Sequence, residues 1–198
     1  MIHKLLNGRK VVLASASPRR KELFKLVGIK ALQMPPHINE SCNYRSPVKF
    51  VNHLAEKKAK AIAKLMDNDC VIVAADTIVF FNGEILNKPQ NQYQAAEFLT
   101  ALSDHDHYVY TGVCVISGVG LNNISVQYEK TRVTFKHLDL YEISEYIESG
   151  EPFDKAGAYG IQGLGSQFIK KINGCYFNVM GFPLPLFYDM LKQQLGKV

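Results

Sequence analysis

The hydrophobic and polar positions of the chain alternate in patterns that predict interleaved strands and helices. Residues 10–17 ("KVVLASAS") and 70–86 ("CVIVAADTIVFFNGEIL") are apolar runs typical of buried strands. The Asn82–Gly83 pair in the second run predicts a hairpin turn, because both residues tolerate positive φ. Four later segments carry the remaining strand patterns: 107–118 and 124–137, which we expect to pair antiparallel, then 166–172 ("SQFIKKI") and 175–182 ("CYFNVMGF").

Helical periodicity predicts five helices between these strands. The first begins after Ser17, a suitable N-cap followed by Pro18, and runs to about Gly28. The second begins at Ser46–Pro47 and runs to about Asp67. The other three are expected at residues 91–103, 139–149 and 183–195. Alternating helices and strands with hairpins predict one α/β domain over residues 1–198, built on a mixed β-sheet flanked by helices.

Composition and charge narrow the class of protein. A hydrophobic content of 47% with 21% charged residues is ordinary for a globular protein. The 23 basic and 18 acidic residues leave a net charge of +5, which favours an anionic ligand without by itself indicating nucleic acid. The four cysteines form no CxxC pair, and the longest apolar run near the start, "VVLASA", is too short for a membrane span. We therefore expect a cytoplasmic protein without a zinc site or a membrane anchor.

Arg19 and Arg20 stand where cations are least favourable. In a helix that begins at Pro18 they occupy the first turn, near the positive end of the helix dipole. Arg19 aligns with Leu23, so the arginines are expected on the core-facing side of the helix. The free N–H groups of Ser17, Arg19 and Arg20 are expected at the same end. A bound anion would satisfy these donors and neutralise both side chains, whereas pairing with protein carboxylates is the alternative.

Two more charged residues interrupt apolar patterns. Lys58 falls within the apolar stripe of the second helix, where it either extends along the helix to water or faces a phosphate. Asp76 interrupts an apolar strand, where an unpaired carboxylate would cost on the order of several kcal/mol. It therefore meets a cation such as Lys88, a set of N–H donors or the mouth of a cleft. A carboxylate among such cations is suited to holding a divalent metal or acting as a general base.

A glycine-rich stretch, "DKAGAYGIQGLG" at residues 154–165, shows neither helical nor strand periodicity. Repeated glycines permit positive φ and close approach of the backbone to a ligand. Gln162 offers a donor and an acceptor suited to reading the edge of a base. Neither a Walker A pattern nor GxGxxG occurs, which argues against a P-loop NTPase and a Rossmann cofactor site.

Two other polar segments carry weaker signals. Glu40 lies in the polar stretch "HINESCN", where a glutamate is usually solvated. "HDH" at residues 105–107 is expected to be a solvated loop.

The motifs "LASASPRR", "AADTIV", "NKP", "DKAGAYGIQG" and "KINGCYFNVMGFP", in this order, resemble the Maf family of nucleoside triphosphate pyrophosphatases, also described as septum-formation proteins. The resemblance covers almost the whole chain. It implies an elongated mixed α/β sheet with two lobes around a deep cleft, as in the Maf/ITPase-like folds. It also implies metal-dependent cleavage between the α- and β-phosphates, with Mg²⁺ or Mn²⁺ as cofactor, to a nucleoside monophosphate and pyrophosphate.

The resemblance also assigns roles to residues of this chain. Phosphate binding falls to Ser15, Arg19 and Arg20. Catalysis falls to Asp76 as proton acceptor, with Lys58 and Lys88. The metal would lie at Glu40 and Asp76, and substrate choice would rest on Arg19, Thr77 and Gln162. Because cations surround Asp76, we expect its pKa to be low.

Within the family, "SPRR" and "DKAGAYGIQG" resemble the branch that acts on dTTP and UTP, whereas Asn39 stands where many members carry a second acidic residue. The expected partner is thus the nucleotide, without nucleic acid or membrane, and a homodimer is the expected assembly. The alternative is a nucleotide-binding regulator of septum formation that acts through a protein partner. Nucleic-acid binding ranks last, since no known nucleic-acid motif occurs.

Overall fold

The computed structural model describes residues 1–6, 8–66 and 70–196, without the side chain of residue 119. It contains a seven-stranded sheet with the order β2-β1-β3-β5-β6-β7, and β4 pairs with β3. The strands are β1 Lys10–Leu13, β2 Ala31–Gln33, β3 Cys70–Phe81, β4 Glu84–Leu86, β5 Asp106–Ser117, β6 Asn123–Phe135 and β7 Ile169–Asn173. β1 lies parallel to both β2 and β3, whereas the β3–β4 and β6–β7 pairs are antiparallel. The predicted mixed sheet is therefore confirmed.

Seven α-helices accompany this sheet among the described residues. They are α1 Ile2–Leu5, α2 Pro18–Leu26, α3 Pro47–Ala63, α4 Gln92–Leu102, α5 Leu140–Glu148, α6 Tyr176–Val179 and α7 Leu184–Leu195. α2 and α3 begin where the sequence predicts, because Ser17 and Ser46 accept hydrogen bonds from the first-turn amides of Arg20 and Lys49. The predicted end of α3 near Asp67 lies outside the described residues. No helix of the described chain is long and apolar enough to cross a membrane.

The chain divides into two compact units, and the division falls within β3, β5 and β6. Unit 1 comprises residues 1–76, 111–129 and 181–198, and unit 2 comprises 77–110 and 130–180. In unit 1 the apolar face of α3 packs on small and β-branched residues of the sheet, among them Val12, Ile72 and Ala74. In unit 2 α4 and α5 pack on a second core that includes Phe135 and Tyr159. Each unit thus buries its own apolar surface.

The prediction of a strand over residues 175–182 is wrong. Tyr176–Val179 form α6, which follows Gly174 with its positive φ of 132°. Asn178 is buried, and its amide donates to the carbonyl of Val109 and to the hydroxyl of Thr131, both at 3.0 Å. These long-range hydrogen bonds stabilise the helical turn, although the apolar run by itself favours a strand.

The prediction of a solvated loop at "HDH" is wrong for His107, which lies in β5 with 0% exposure. Its Nε2 lies 2.7 Å from the hydroxyl of Tyr159, and its ring meets Phe135 edge-on. Burial lowers the pKa of His107 from 6.5 to about 4, against a raising effect of Asp106. His107 is therefore neutral at pH 7 beneath the glycine-rich segment that contains Tyr159.

This histidine is expected to make the folded state sensitive to acid. Because the unfolded state binds the proton at higher pH than the folded state, stability is fully present above the unfolded pKa of 6.5 and is lost as pH falls toward 4. The loss should reach about 3 kcal/mol. Urea denaturation at several pH values should show this slope in wild type and in His105→Gln, a variant at an exposed neighbour, and a smaller slope in His107→Gln. Equal slopes in all three proteins would contradict it.

Candidate functional site

The segment between β1 and α2 forms a compact turn around the hydroxyl of Ser15. This buried Oγ accepts a hydrogen bond from the amide of Ser17 at 3.1 Å and one from Arg20 Nη1 at 3.3 Å. The amide of Arg20 donates in turn to Ser17 Oγ at 3.4 Å. Two of the three N–H groups expected to be free for an anion are therefore already bonded within the segment, which corrects that expectation.

Arg20 binds the protein backbone with its guanidinium. Its Nε donates to the carbonyl of Gly181 and its Nη1 to the carbonyl of Ala75, both at 2.8 Å. Burial lowers the pKa of Arg20, an effect that Asp76 opposes, and an arginine guanidinium is not deprotonated in proteins. Arg20 therefore ties the start of α2 to the middle of β3 and to the carbonyl of Gly181, and it carries a fixed positive charge there.

Lys58, Asp76 and Glu40 form one cluster in unit 1. Lys58 Nζ lies 2.7 Å from Asp76 Oδ1 and 3.0 Å from Glu40 Oε2. Lys58 is only 8% and Asp76 only 7% exposed, whereas the Glu40 side chain is largely exposed. Lys58 thus does not extend to water, and the cation that Asp76 meets is Lys58. Glu40 is exposed, as its residue type predicts, and it also forms an ion pair with Lys58.

The approach of α3 to the sheet places Lys58. Gly112 of β5 faces the carbonyl of Val51, and a Cβ added to it would lie 2.8 Å from the amide nitrogen of Asn52. A side chain at this position would push the helix away, so glycine allows close contact. Lys58 follows Val51 by two helical turns and lies on the same face of α3.

The predicted low pKa of Asp76 is wrong. Burial raises the pKa of Asp76 above its usual range, and the opposing effects of Lys58 and Arg20 do not cancel it. Glu40 adds a smaller raising effect, since two negative charges repel. A carboxylate with a raised pKa is a stronger proton acceptor once it is ionised. The direction of this shift therefore suits a general base.

The two carboxylates fit part of a divalent metal site. Within residues 1–6, 8–66 and 70–196, no group of three His, Cys, Asp or Glu side chains is placed to hold a metal ion. Mg²⁺ commonly takes only one or two carboxylates and completes its coordination with water and phosphate oxygens. Glu40 and Asp76 match that pattern. Asn39, beside Glu40, turns its side chain to the amide of Ser41 at 2.8 Å.

The remaining predicted site residues belong to unit 2. Thr77 directly follows Asp76 in β3 and is half-buried, while Lys88 is exposed beyond the end of β4. Gln162 is exposed within the glycine-rich segment. Unit 1 thus brings together five predicted residues, namely Ser15, Arg20, Glu40, Lys58 and Asp76, with Arg19 beside them on α2.

Sequence reasoning missed residues that hold these segments in place. Gln33 at the end of β2 donates to the carbonyls of Ser15 and Ser17 at 2.9 and 3.4 Å. Glu151 accepts hydrogen bonds from the amides of Leu164 and Gly165 at 2.9 and 3.3 Å. Both are ordinary polar residues outside any apolar pattern, so no local signal marks them.

In this α/β fold, two arginines at the start of α2 lie in the same unit as a buried carboxylate that is paired with a lysine. The chain belongs to the Maf-like protein family, which matches residues 10–194.

Named relatives are similar over nearly the full length of the chain. The dTTP/UTP pyrophosphatase of Pelotomaculum thermopropionicum is 44% identical over 186 residues, covering 93% of this chain and 96% of that protein. The dTTP/UTP pyrophosphatase of Bacillus cereus is 45% identical over 186 residues, covering 93% of this chain and 95% of that protein. Among solved structures, the Staphylococcus aureus Ham1 protein matches with a TM-score of 0.57 and 13% identity, covering 94% of this chain and all of that one. This last likeness concerns the fold alone.

Proposed function

We propose that this protein hydrolyses nucleoside triphosphates, with dTTP and UTP as substrates, to the nucleoside monophosphate and pyrophosphate. The observation that carries the proposal is the buried Asp76–Lys58 pair with Glu40, next to a turn held by Arg20. Relatives that are 40–45% identical and named dTTP/UTP pyrophosphatases support the substrate class.

The positive residues would hold the triphosphate. Arg19, in the first turn of α2, presents its charge at the helix end that favours anions. Arg20 contributes its fixed charge, and its bonds to the carbonyls of Ala75 and Gly181 keep the turn rigid. Lys58 and Lys88 would neutralise further phosphate oxygens. Neutralising the charge that develops on the leaving pyrophosphate lowers the barrier to cleavage.

Asp76 would accept a proton from the attacking water. The water oxygen bonds to one phosphorus of the α–β bridge, the bridging P–O bond breaks, and the proton passes to the Asp76 carboxylate. Glu40 and Asp76 would hold a Mg²⁺ or Mn²⁺ ion, which, when bound, neutralises phosphate charge and lowers the pKa of water. Lys58 remains within reach of both carboxylates and favours the ionised form of Asp76.

A nucleotide panel tests the proposal. The purified protein is supplied with dTTP, UTP, CTP, GTP and 7-methyl-GTP, each with Mg²⁺, Mn²⁺ or EDTA, and both pyrophosphate and orthophosphate are measured. We expect pyrophosphate from dTTP and UTP with metal, about 10²-fold or more above the EDTA reaction. Release of orthophosphate alone would mean that a phosphate bond other than the α–β bond is cleaved. Nucleotide binding without turnover would favour the alternative of a nucleotide-binding regulator.

A further inference from the structure

We propose that Glu151 is a positioning residue for base selection: with Tyr146, it holds the glycine-rich segment that presents Gln162 to the pyrimidine base. This inference rests on the proposed function, since it names a determinant of its substrate choice. All the contacts that carry it lie within unit 2.

The Glu151 carboxylate is bonded on both oxygens. Its Oε2 accepts from the amide of Leu164 at 2.9 Å, and its Oε1 accepts from the amide of Gly165 at 3.3 Å and from the hydroxyl of Tyr146 at 3.0 Å. Burial alone would raise the pKa of Glu151, but these donors outweigh it and lower the pKa. Glu151 is therefore an ionised acceptor for two consecutive backbone amides.

The glycines of the segment match this contact. A Cβ at Gly163, which has a positive φ of 76°, would lie 2.6 Å from Glu151 Oε2. A Cβ at Gly165 would lie 2.7 Å from the hydroxyl of Tyr146. Gly163 and Gly165 thus allow the backbone of the segment to lie against Glu151 and Tyr146. This close packing accounts for glycine at both positions without a ligand near the backbone.

Tyr146, which donates to the Glu151 carboxylate, is itself held in place by packing. Tyr146 belongs to α5, is buried, and packs edge-on against Phe168 with ring centroids 4.9 Å apart. Burial, aided by the Glu151 charge, raises the pKa of Tyr146, so its hydroxyl keeps the proton that it donates. Lys155 Nζ bonds the Glu151 carbonyl at 2.6 Å, which secures the main chain of Glu151 as well.

Gln162 directly precedes residues 163–165, which Glu151 and Tyr146 hold, and its side chain is exposed. Its amide can read the donor and acceptor edge of a pyrimidine only if its backbone holds one conformation. Without Glu151, residues 163–165 lose their anchor, and Gln162 samples several positions. Selectivity between UTP and CTP should then fall.

The test compares Glu151→Gln and Tyr146→Phe with Glu148→Gln, a control at an exposed glutamate of α5, the helix of Tyr146, which accepts a hydrogen bond from Ser144. Glu151→Gln retains the size of the side chain but loses the charge and one acceptor, and Tyr146→Phe removes the hydroxyl that donates to Glu151. Amide exchange of Leu164 and Gly165, measured by NMR without nucleotide, should accelerate about tenfold or more in Glu151→Gln and stay unchanged in the control.

The ratio of kcat/KM for UTP to that for CTP should fall about fivefold or more in Glu151→Gln, mainly through KM for UTP. Added to Gln162→Ala, the Glu151→Gln change should cause no further loss of selectivity, because both act through one contact. The inference would be overturned by unchanged amide exchange of Leu164 and Gly165 in Glu151→Gln, or by an unchanged ratio of UTP to CTP use in that variant. Fully additive losses of selectivity in the double variant would overturn it as well. Kd values for the α,β-methylene analogues of UTP and CTP are compared in the same variants. If turnover is absent but the binding selectivity falls in Glu151→Gln, only the proposed hydrolysis is rejected.

Discussion

Asp76→Asn is expected to lower kcat for dTTP and UTP hydrolysis by about 10²–10⁴-fold, because the amide cannot accept the proton of the attacking water. The Asn oxygen can still accept from Lys58 Nζ, which now lies 2.7 Å from the carboxylate. Lys58 also keeps Glu40 at 3.0 Å, so the ammonium stays paired. The folded state should therefore lose only about 1–3 kcal/mol. Pyrophosphate release under saturating nucleotide measures kcat, and circular dichroism checks folding.

The matched control for Asp76→Asn is Glu56→Gln. Glu56 also pairs with a lysine, Lys60, at 2.6 Å, but at the surface of α3. Exposed pairs contribute little to stability, so this variant should retain wild-type kcat and stability. If Asp76→Asn turned over dTTP at the wild-type rate, the assignment of Asp76 as the proton acceptor would be rejected.

Arg20→Lys is expected to impair both stability and substrate use. The guanidinium donates to the carbonyl of Gly181 from Nε and to that of Ala75 from Nη1, and a lysine has a single nitrogen in place of these two. Leaving a buried carbonyl without its charged donor should cost about 2–4 kcal/mol. The displaced turn should also lower kcat/KM for dTTP by about 10²-fold, since small shifts of a binding segment disturb substrate geometry.

Thermal unfolding and initial rates measure the two effects of Arg20→Lys. Lys25→Ala serves as the control, because Lys25 is an exposed cation on the same helix. Lys25→Ala tests whether changing any cation of α2 has the same effects. A wild-type melting temperature and wild-type kcat/KM for Arg20→Lys would show that the fork geometry of Arg20 is dispensable.

The starts of α2 and α3 and the β3–β4 hairpin follow from local sequence signals. Ser17–Pro18 and Ser46–Pro47 each combine an N-cap with a proline in the first turn, and both helices begin there. Asn82 and Gly83 adopt the positive φ values of 47° and 85° that the hairpin requires. Such signals act between residues a few positions apart, so they need no knowledge of the rest of the fold.

Part of the site also carried a sequence signal. Lys58, Asp76 and Arg20 stand out because each interrupts an apolar face or meets an unfavourable helix end, and each is at least partly buried in the structure. Glu40 shows no such anomaly, since a glutamate in a polar segment is ordinary, and only family resemblance singled it out. The structure brings it to Lys58 from the connection between β2 and α3.

The sequence by itself thus determined the order of the five longer helices and of six of the seven strands, and it marked the charged residues that need a partner. Only the tertiary structure decided which partner each one meets: Asp76 pairs with Lys58, and Glu151 holds the amides of Leu164 and Gly165. It also decided that the pKa of Asp76 rises and that 176–179 form a helix. The physical reason is that burial and long-range hydrogen bonds depend on residues distant in the chain, which local patterns do not encode.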